Sequence, residues 1–259
     1  MASMEIDTAG DEQDAPAGFT LSYVSVNGLG YTVTIPATAG AEYSFDGETW
    51  SSINTKSGCR PGERVTGWKR MAAKAGHNAS EAVSDSMILP KFSQGTPNAP
   101  SLKTKTRNSV TLNAIAGAQY RRDNGAWQSG TLFTKLSPGT TYRFYVRKKA
   151  TAAHEASPSS TPLTVTTDKR ALSKPKGLKL TAKKATWKKV SNNNGYILKI
   201  MQGKKVIKVV QIKKGKTSYK IPKGLFKKGR RYTFSLVAKG RGDYKNSKTT
   251  KSKSVKIKK

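Results

Sequence analysis

One stretch of the sequence decides the fold: Leu136-Ser-Pro-Gly-Thr-Thr-Tyr142-Arg-Phe144-Tyr-Val146-Arg-Lys-Lys-Ala150. Tyr142, Phe144 and Val146 follow the Pro138-Gly139 turn at alternate positions, which is the period of a strand with one buried face. A tyrosine just after such a turn can bury its ring while its hydroxyl bonds to the backbone of the corner. The stretch therefore predicts a β-strand that is entered through a tyrosine-anchored corner.

This stretch recurs along the chain. At an offset of 77 residues, residues 33–80 align with residues 110–157 without a gap and with 18 identical pairs, which identifies two copies of one unit. The identical pairs include Tyr43 with Tyr120, Asp46 with Asp123, Trp50 with Trp127, Pro61-Gly62 with Pro138-Gly139, and His77 with His154. A third copy is more diverged: at an offset of 90, Phe226, Gly229, Tyr232 and Phe234 fall on Leu136, Gly139, Tyr142 and Phe144.

The first copy departs from the second at the strand that follows the corner. Val65, Gly67 and Lys69 stand where the second copy has Tyr142, Phe144 and Val146. Because this strand loses its large apolar side chains, we expect the first copy to be the least stable of the three.

The length of 259 residues accommodates three units of this size. Residues 1–14 are acidic and poor in apolar side chains, and are predicted to be a disordered leader. Residues 15–92, 93–169 and 170–259 are then the first, second and third modules. The single cysteine, Cys59, excludes an internal disulfide and is predicted to be a small buried residue, and no apolar run approaches the length of a membrane span.

The spacing Leu136-x-Pro138-x-x-x-Tyr142 resembles the start of strand F in fibronectin type III domains. The wider pattern of residues 33–80 and 110–157 is similar to tandem fibronectin type III-like repeats of bacterial secreted and cell-surface proteins. The resemblance implies an all-β chain of three tandem immunoglobulin-like, fibronectin type III-like β-sandwich domains. It also implies a non-catalytic stalk or adhesion segment outside the cell, within a larger bacterial surface or secreted protein.

Few residues in the sequence are suited to catalysis. His77 and His154 occupy one repeat position and are interpreted as loop-fixing residues rather than bases. Two histidines, one cysteine and scattered acids give no metal-ligand spacing, so we predict no enzyme, no metal and no cofactor. The segment from Ser44 to Trp50 looks like the Asp-box of sialidases with one residue missing, and is interpreted as a hairpin with a buried tryptophan.

Charge is the strongest chemical signal. From Arg170 onward the chain has 30 Lys and Arg against one acid, Asp243, while residues 1–169 carry a net charge of only +4. Of these cations 26 are lysines, which suit diffuse contact with a polyanion better than sequence-specific readout. The predicted partner is an anionic cell-wall polymer or glycan, or nucleic acid met nonspecifically, with a merely solvated surface as the alternative. The candidate residues are Lys213, Lys214, Lys216, Lys227, Lys228, Arg230 and Arg231.

Arg241-Gly242-Asp243 follows the predicted strand F of the third module. Fibronectin's integrin-binding type III domain carries this tripeptide in the same loop, so these residues are a candidate adhesion motif. Two other functions remain open. A carbohydrate-binding accessory region of a secreted glycan-active enzyme needs exposed aromatic rings, for which Trp50, Trp68 and Trp127 are candidates, and a nonspecific nucleic-acid binder needs only the basic surface.

Overall fold

The computed structural model of the protein describes residues 10–258. Within that range the chain forms 22 strands and no helix, so the predicted all-β class is confirmed. By its internal contacts the chain divides into two compact units, residues 10–97 with 147–159 and residues 98–146 with 160–258. The first unit contains one cluster of buried apolar side chains, around Val33, and the second contains two, around Phe144 and Phe234. The module boundaries stay predictions.

The first module contains two three-stranded antiparallel sheets, with strand orders β1-β2-β4 and β3-β5-β6. Its strands are β1 (Ser22–Val26), β2 (Gly30–Thr34), β3 (Ala41–Ser44), β4 (Thr55–Cys59), β5 (Arg64–Met71) and β6 (Val83–Ile88).

The second module repeats this plan, with strand orders β10-β8-β7 and β12-β11-β9. Its strands are β7 (Leu102–Lys105), β8 (Val110–Leu112), β9 (Ala118–Arg122), β10 (Leu132–Phe133), β11 (Thr141–Lys148) and β12 (Leu163–Thr166).

The third module has one sheet of order β14-β15-β18 and a larger one of order β17-β16-β19-β21, with β22 also paired to β19 and β13 paired in parallel with β20. Its strands are β13 (Arg170–Ala171), β14 (Lys179–Leu180), β15 (Lys184–Thr186), β16 (Tyr196–Gln202), β17 (Lys205–Ile212), β18 (Ser218–Lys220), β19 (Arg231–Ala238), β20 (Tyr244–Lys245), β21 (Thr250–Lys251) and β22 (Val255–Lys256). Among the described residues only the third module has a strand, β17, at the fourth of the seven positions of a sandwich. We therefore count β1, β7 and β14 as the first sandwich strands, β4, β10 and β18 as the fifth, and β5, β11 and β19 as the sixth. In all three modules the first, second and fifth sandwich strands share one sheet. This division is that of a fibronectin type III-like β-sandwich.

The predicted tyrosine corners are present. The Tyr142 hydroxyl accepts a hydrogen bond from the backbone N–H of Ser137 at 2.9 Å, and the Tyr232 hydroxyl accepts one from Lys227 at 2.9 Å. Each bond joins the start of the sixth sandwich strand to the turn that precedes it.

A second set of tyrosines anchors the third sandwich strand. The hydroxyls of Tyr43, Tyr120 and Tyr196 accept backbone N–H groups of Thr38 at 2.7 Å, Ile115 at 2.6 Å and Val190 at 2.9 Å. All three rings are buried. Each module therefore has at least one buried tyrosine whose hydroxyl accepts a hydrogen bond from a backbone amide at a corner.

At the corner of the first module Val65 stands in place of the tyrosine, and a glutamate accepts the hydrogen bond instead. The carboxylate of Glu63 accepts the backbone N–H of Arg60 at 2.7 Å, and Arg60 aligns with Ser137 at the 77-residue offset. This bond, assisted by the positive charge of Lys56, holds the pKa of Glu63 below its ordinary value. The same corner amide is therefore bonded in both copies, but by a titratable group in the first.

This substitution predicts that acid weakens the first module selectively. Because the folded pKa of Glu63 lies below its unfolded value of about 4.5, the bond stabilises the module above that pH and is lost as the pH falls below it. Glu63→Gln should remove this part of the pH dependence. Tyr142→Phe should instead cost the second module about 1 kcal/mol at every pH. Hydrogen exchange of the β5 and β11 amides in the full chain, corrected for intrinsic rates, measures both, and equal acid sensitivity of β5 in wild type and Glu63→Gln would contradict the assignment.

The core of the first module is filled differently from that of the second. A Cβ atom on Gly67 would lie 2.9 Å from side-chain atoms of both Ile35 and Leu21, so these two residues occupy the space that the Phe144 ring fills in the second module. Lys69, at the position of Val146, is only 4% exposed. Its Nζ donates to Thr38 Oγ1 at 3.1 Å. A buried ammonium group is costly, which supports the expectation that this module is the least stable.

Lys69→Met should stabilise the first module by about 1 kcal/mol or more, because it removes a buried charge while keeping the volume of the side chain. The reciprocal change Val146→Lys should destabilise the second module by several kcal/mol. Hydrogen exchange of β5 and β11 in the full chain reports each effect separately. A loss of protection in Lys69→Met would show that the Thr38 bond and the Phe19 ring, 5.1 Å from the ammonium group, outweigh its desolvation.

The leader prediction was wrong for residues 10–14, and residues 1–9 lie outside the described residues. The backbone N–H of Asp11 bonds to the Gly76 carbonyl at 2.9 Å, and Asn78 donates back to the Asp11 carbonyl at 2.9 Å. The Gln13 side chain also donates to the Ala72 carbonyl at 3.0 Å. Gln94 makes the equivalent bond to Lys149 at 3.0 Å, so this segment is a repeated part of the module.

Candidate anion-binding surface

The third module has a cationic surface with almost no neutralising partners. Every described Lys and Arg from Arg170 onward is exposed, except Lys239, which is half-buried. Strand alternation explains this, since Lys199 points outward between the buried Leu198 and Ile200. Among the described residues of the module the one ion pair joins Arg170 Nε to Asp243 at 3.9 Å.

The structure separates the predicted residues into two groups. Tyr196 pairs with both Ile212 and Ala238, so the turn carrying Lys213, Lys214 and Lys216 lies at one end of the larger sheet. Arg231 lies past the Met201–Thr233 pair at the opposite end, together with Lys227, Lys228 and Arg230. The seven residues of β16 put roughly 20 Å between the groups. At physiological salt this exceeds the screening length of about 8 Å, so the groups act independently.

Near the first group lies a cavity of about 280 Å³ that is lined by four lysines, which we call the Lys188 cavity. Lys174 and Lys176 face Lys188 and Lys189 across it. The backbone bond from Lys188 N–H to the Lys176 carbonyl, at 2.8 Å, holds the two segments together. Lys174 and Lys176 were not predicted as part of a site because they lie between β13 and β14 and reach Lys188 only through the folded backbone.

A second cavity, of about 270 Å³, lies on the side of the other group, and we call it the Lys183 cavity. Lys183, Lys220 and Lys223 form its basic rim, and its floor is apolar, with Phe226 and Ile257. The Ile221 N–H donates to the Lys183 carbonyl at 2.9 Å, which fixes the rim. These three lysines were not predicted either, because they come from separate parts of the sequence: Lys183 precedes β15, Lys220 ends β18, and Lys223 lies in the loop after β18.

Arg241-Gly242-Asp243 lies in the loop after β19, as predicted. The Tyr244 N–H closes the turn on the Arg241 carbonyl at 3.1 Å, and the Arg170 N–H donates to the Asp243 carbonyl at 2.7 Å. Lys74–His77 and Thr151–His154 form the corresponding turns of the other modules. The tripeptide thus has a structural role shared by all three modules, and its use as an adhesion motif stays a prediction.

The two histidines make the contacts of loop-fixing residues. His77 N–H bonds to the Lys74 carbonyl at 2.9 Å, and His154 N–H bonds to Thr151 Oγ1 at 3.0 Å. The His154 ring also packs 5.9 Å from the Phe92 ring. Within residues 10–258, no group of three or more His, Cys, Asp or Glu side chains is arranged to hold a metal ion. Cys59, predicted to be buried, is 1% exposed, and burial raises the pKa of its thiol.

The hairpin predicted around Asp46 is present. Tyr43 N–H bonds to the Ser51 carbonyl at 2.8 Å, and the Asp46 carboxylate accepts the N–H groups of Thr49 and Glu48 at 2.7 and 2.8 Å. These bonds hold the pKa of Asp46 well below its usual range. The prediction that this hairpin buries its tryptophan was wrong, because Trp50 is only half-buried.

Arginines cover the half-buried indole rings. The Arg70 guanidinium lies 4.0 Å from the Trp50 ring centre, and that of Arg121 lies 4.7 Å from the Trp127 ring centre. A Cβ atom on Gly47 would be 3.5 Å from the Trp68 ring, so a backbone turn lies against that indole. Each candidate ring therefore has one face occupied.

Each candidate ring is half-buried and has one face covered, so it offers a sugar little open surface for stacking. We therefore expect neutral oligosaccharides at millimolar concentration to leave the tryptophan emission of the full chain unchanged. Arg70→Ala should change the emission of Trp50 without any sugar, which serves as the positive control for detection. A saturable emission change on adding a neutral glycan to wild type would favour the carbohydrate-binding alternative instead.

The sheets and corners define tandem fibronectin type III-like β-sandwiches. The chain is similar to the crystal structure of the FN1-FN3 domains of chicken CNTN1, with 13% identity and a TM-score of 0.30 over 94% of this chain and 100% of that one. It is also similar to a two fibronectin type-III domain segment from chicken tenascin, with 18% identity and a TM-score of 0.38 over 62% of this chain and 98% of that one. No family model and no curated protein matches the chain. None of the described residues forms a helix with the length and hydropathy that crossing a membrane requires.

Proposed function

We propose that this chain is a non-catalytic extracellular stalk or adhesion segment whose third module binds an anionic polymer by charge. Residues 170–259 contain 30 cations and one acid. The observation that carries the proposal is that every described cation among them except Lys239 is exposed. Such a surface attracts polyanions at long range and is costly to keep without them, because its charges repel one another.

The type of cation favours a polymer over a specific small ligand. Lysine ammonium groups are hydrated point charges, whereas arginine forks are suited to bidentate recognition of phosphate and base edges. The two lysine-lined cavities are small and lie near opposite ends of the module, so a flexible chain of repeated negative charges can contact both. Wall polymers with phosphodiester units and sulfated or carboxylated glycans share this chemistry. The bacterial setting follows the resemblance of the repeats and is part of the proposal.

The interiors of the modules support the stalk role. The large buried side chains belong to the three apolar clusters, and the histidines and Asp46 are engaged in turns. Cohesion therefore accounts for the residues that the two copies share, and the outer surfaces are left for partners.

The proposal predicts salt-sensitive binding of the full chain to heparin and to a polyol-phosphate polymer. The affinity should fall steeply between about 0.05 and 0.2 M salt, because each neutralised charge releases a counterion. Lys213→Glu, Lys214→Glu and Lys216→Glu combined form one variant, and Lys227→Glu, Lys228→Glu and Arg230→Glu form the other. Each should weaken binding at least about tenfold and reduce the slope of log affinity against log salt.

The matched control combines Lys103→Glu, Arg107→Glu and Lys149→Glu, which make the same charge change at exposed sites outside the third module. This variant should bind much as wild type does. Equal losses of affinity in all three variants would show that only the net charge of the chain matters. Binding that survives about 0.5 M salt unchanged would argue for a shaped pocket. Duplex DNA that outcompetes heparin at matched charge would favour the nucleic-acid alternative.

A further inference from the structure

The corner turns of the three modules are structurally equivalent. Gly62 N–H donates to the Leu89 carbonyl at 2.9 Å, Gly139 N–H to the Asp168 carbonyl at 3.3 Å, and Gly229 N–H to the Ile257 carbonyl at 2.9 Å. Each bond ties the corner turn to a residue that follows closely after the last strand of its module. The corner turn of the third module is therefore Lys228-Gly229, where the others have Pro-Gly.

The residue that leads into each module is also equivalent. Asp11, Phe92 and Arg170 donate their backbone N–H groups to the carbonyls of Gly76 at 2.9 Å, Ala153 at 2.9 Å and Asp243 at 2.7 Å. Each acceptor lies in the turn after the sixth sandwich strand of the module that follows the donor along the chain, or, for Arg170, that contains it. We call Asp11, Phe92 and Arg170 the leading residues.

At both junctions inside the chain, a corner turn meets the turn that holds the next leading residue. A Cβ atom on Gly62 would lie 3.4 Å from the Ala152 carbonyl oxygen, and one on Gly139 would lie 3.4 Å from the Asp243 Cα. The Lys91 side chain adds a bond to the Thr151 carbonyl at 3.1 Å. Both junctions are therefore formed by the same kind of contact, between a corner turn and the turn that holds the next leading residue.

The leading side chain lies beside the preceding corner. Phe92 stacks on Tyr31 with ring centres 5.3 Å apart. Arg170 lines a cavity of about 240 Å³ together with Asn108 and Pro138, and Asn108 aligns with Tyr31 at the 77-residue offset. The leading residue thus occupies the same place at both junctions, with an aromatic partner in one and polar partners in the other.

The Lys183 cavity is the corresponding place on the third module. The Ile221 N–H donates to the Lys183 carbonyl at 2.9 Å, as the Leu136 N–H donates to the Asn108 carbonyl at 3.0 Å. Lys183 therefore corresponds to Asn108 and Tyr31, and Ile257, which bonds the corner turn, lines the same cavity. The rim lysines Lys183, Lys220 and Lys223 are exposed and form no ion pair with the described residues.

We propose that a second copy of this chain docks there head to tail, with its Asp11 segment at the Lys183 cavity. Residues 1–14 contain five acids and no Lys or Arg, and Asp11, Glu12 and Asp14 are exposed in the structure. This segment is the most acidic in the chain, so its charge is complementary to that of the lysine rim. The contact is heterologous, because it joins different surfaces of the two copies, and its strength depends on salt.

The test uses two charge-neutralising variants of the full chain at about 0.05 M salt, followed by light scattering and sedimentation. The head variant combines Asp11→Asn, Glu12→Gln and Asp14→Asn, and the tail variant combines Lys183→Gln, Lys220→Gln and Lys223→Gln. Wild type should form dimers and longer species with rising concentration. Each variant alone should associate at least about tenfold more weakly, because one side of the contact has lost its charge.

Mixing the two variants gives the decisive result. The mixture retains one intact head and one intact tail, so it should form a 1:1 dimer and nothing longer. The controls are Lys199→Gln, Lys205→Gln and Lys208→Gln combined, and Glu48→Gln with Glu81→Gln, which alter exposed charges elsewhere and should associate as wild type does. Unchanged hydrogen exchange of β5 and β19 verifies that each variant is folded.

Three outcomes would overturn the proposal: a wild-type chain that stays monomeric at low salt, variants that associate as wild type does, or a mixture that grows beyond dimers. If wild type is monomeric while the tail variant loses heparin affinity, the Lys183 cavity belongs to the polymer-binding surface instead. Heparin binding and self-association are measured separately, so failure of this proposal leaves the proposed function to its own test.

Discussion

A hydrogen bond from a backbone amide to a side-chain oxygen at the corner before the sixth sandwich strand is the constraint on which each module depends. Loss of this bond would cost about 0.5 to 1.5 kcal/mol, and the strand would lose its fixed entry. Tyr142 and Tyr232 supply a hydroxyl that is held by a ring in or against the core. Glu63 supplies a carboxylate to the equivalent amide without any ring. The bond is retained while its chemistry changes, so the requirement lies with the amide and not with tyrosine.

The parts of the fold that follow from local spacing were predictable. Alternation at Tyr142, Phe144 and Val146 defines a half-buried strand, and the turn before it defines the corner, so both follow from a few consecutive residues. The offset of 77 residues carried the same reasoning to the first module. There it identified the missing tyrosine and the misplaced Lys69, but it gave no sign that Glu63 replaces the hydroxyl.

Contacts between distant segments were not predictable in the same way. Asp11 pairs with a turn more than sixty residues away, and composition alone favoured disorder for its segment. The two cavities of the third module assemble lysines from separate loops, such as Lys176 with Lys188 and Lys183 with Lys223. Trp50 was expected inside because tryptophan is large and apolar, whereas the Arg70 guanidinium covers it at the surface. A long side chain that covers an aromatic ring in this way produces no periodic pattern in the sequence, so such a contact cannot be predicted from periodicity.

The buried ammonium group of Lys69 also has a mechanical consequence. When a tandem array is stretched from its ends, every module bears the same force, and the one with the weakest core opens first. The first module would then unravel while its neighbours stay folded, and its 78 residues would add roughly 250 Å of slack. The cationic module, which is the last in the sequence, would stay folded meanwhile, so the chain would lengthen under load before the module that we propose to bind a polymer is opened.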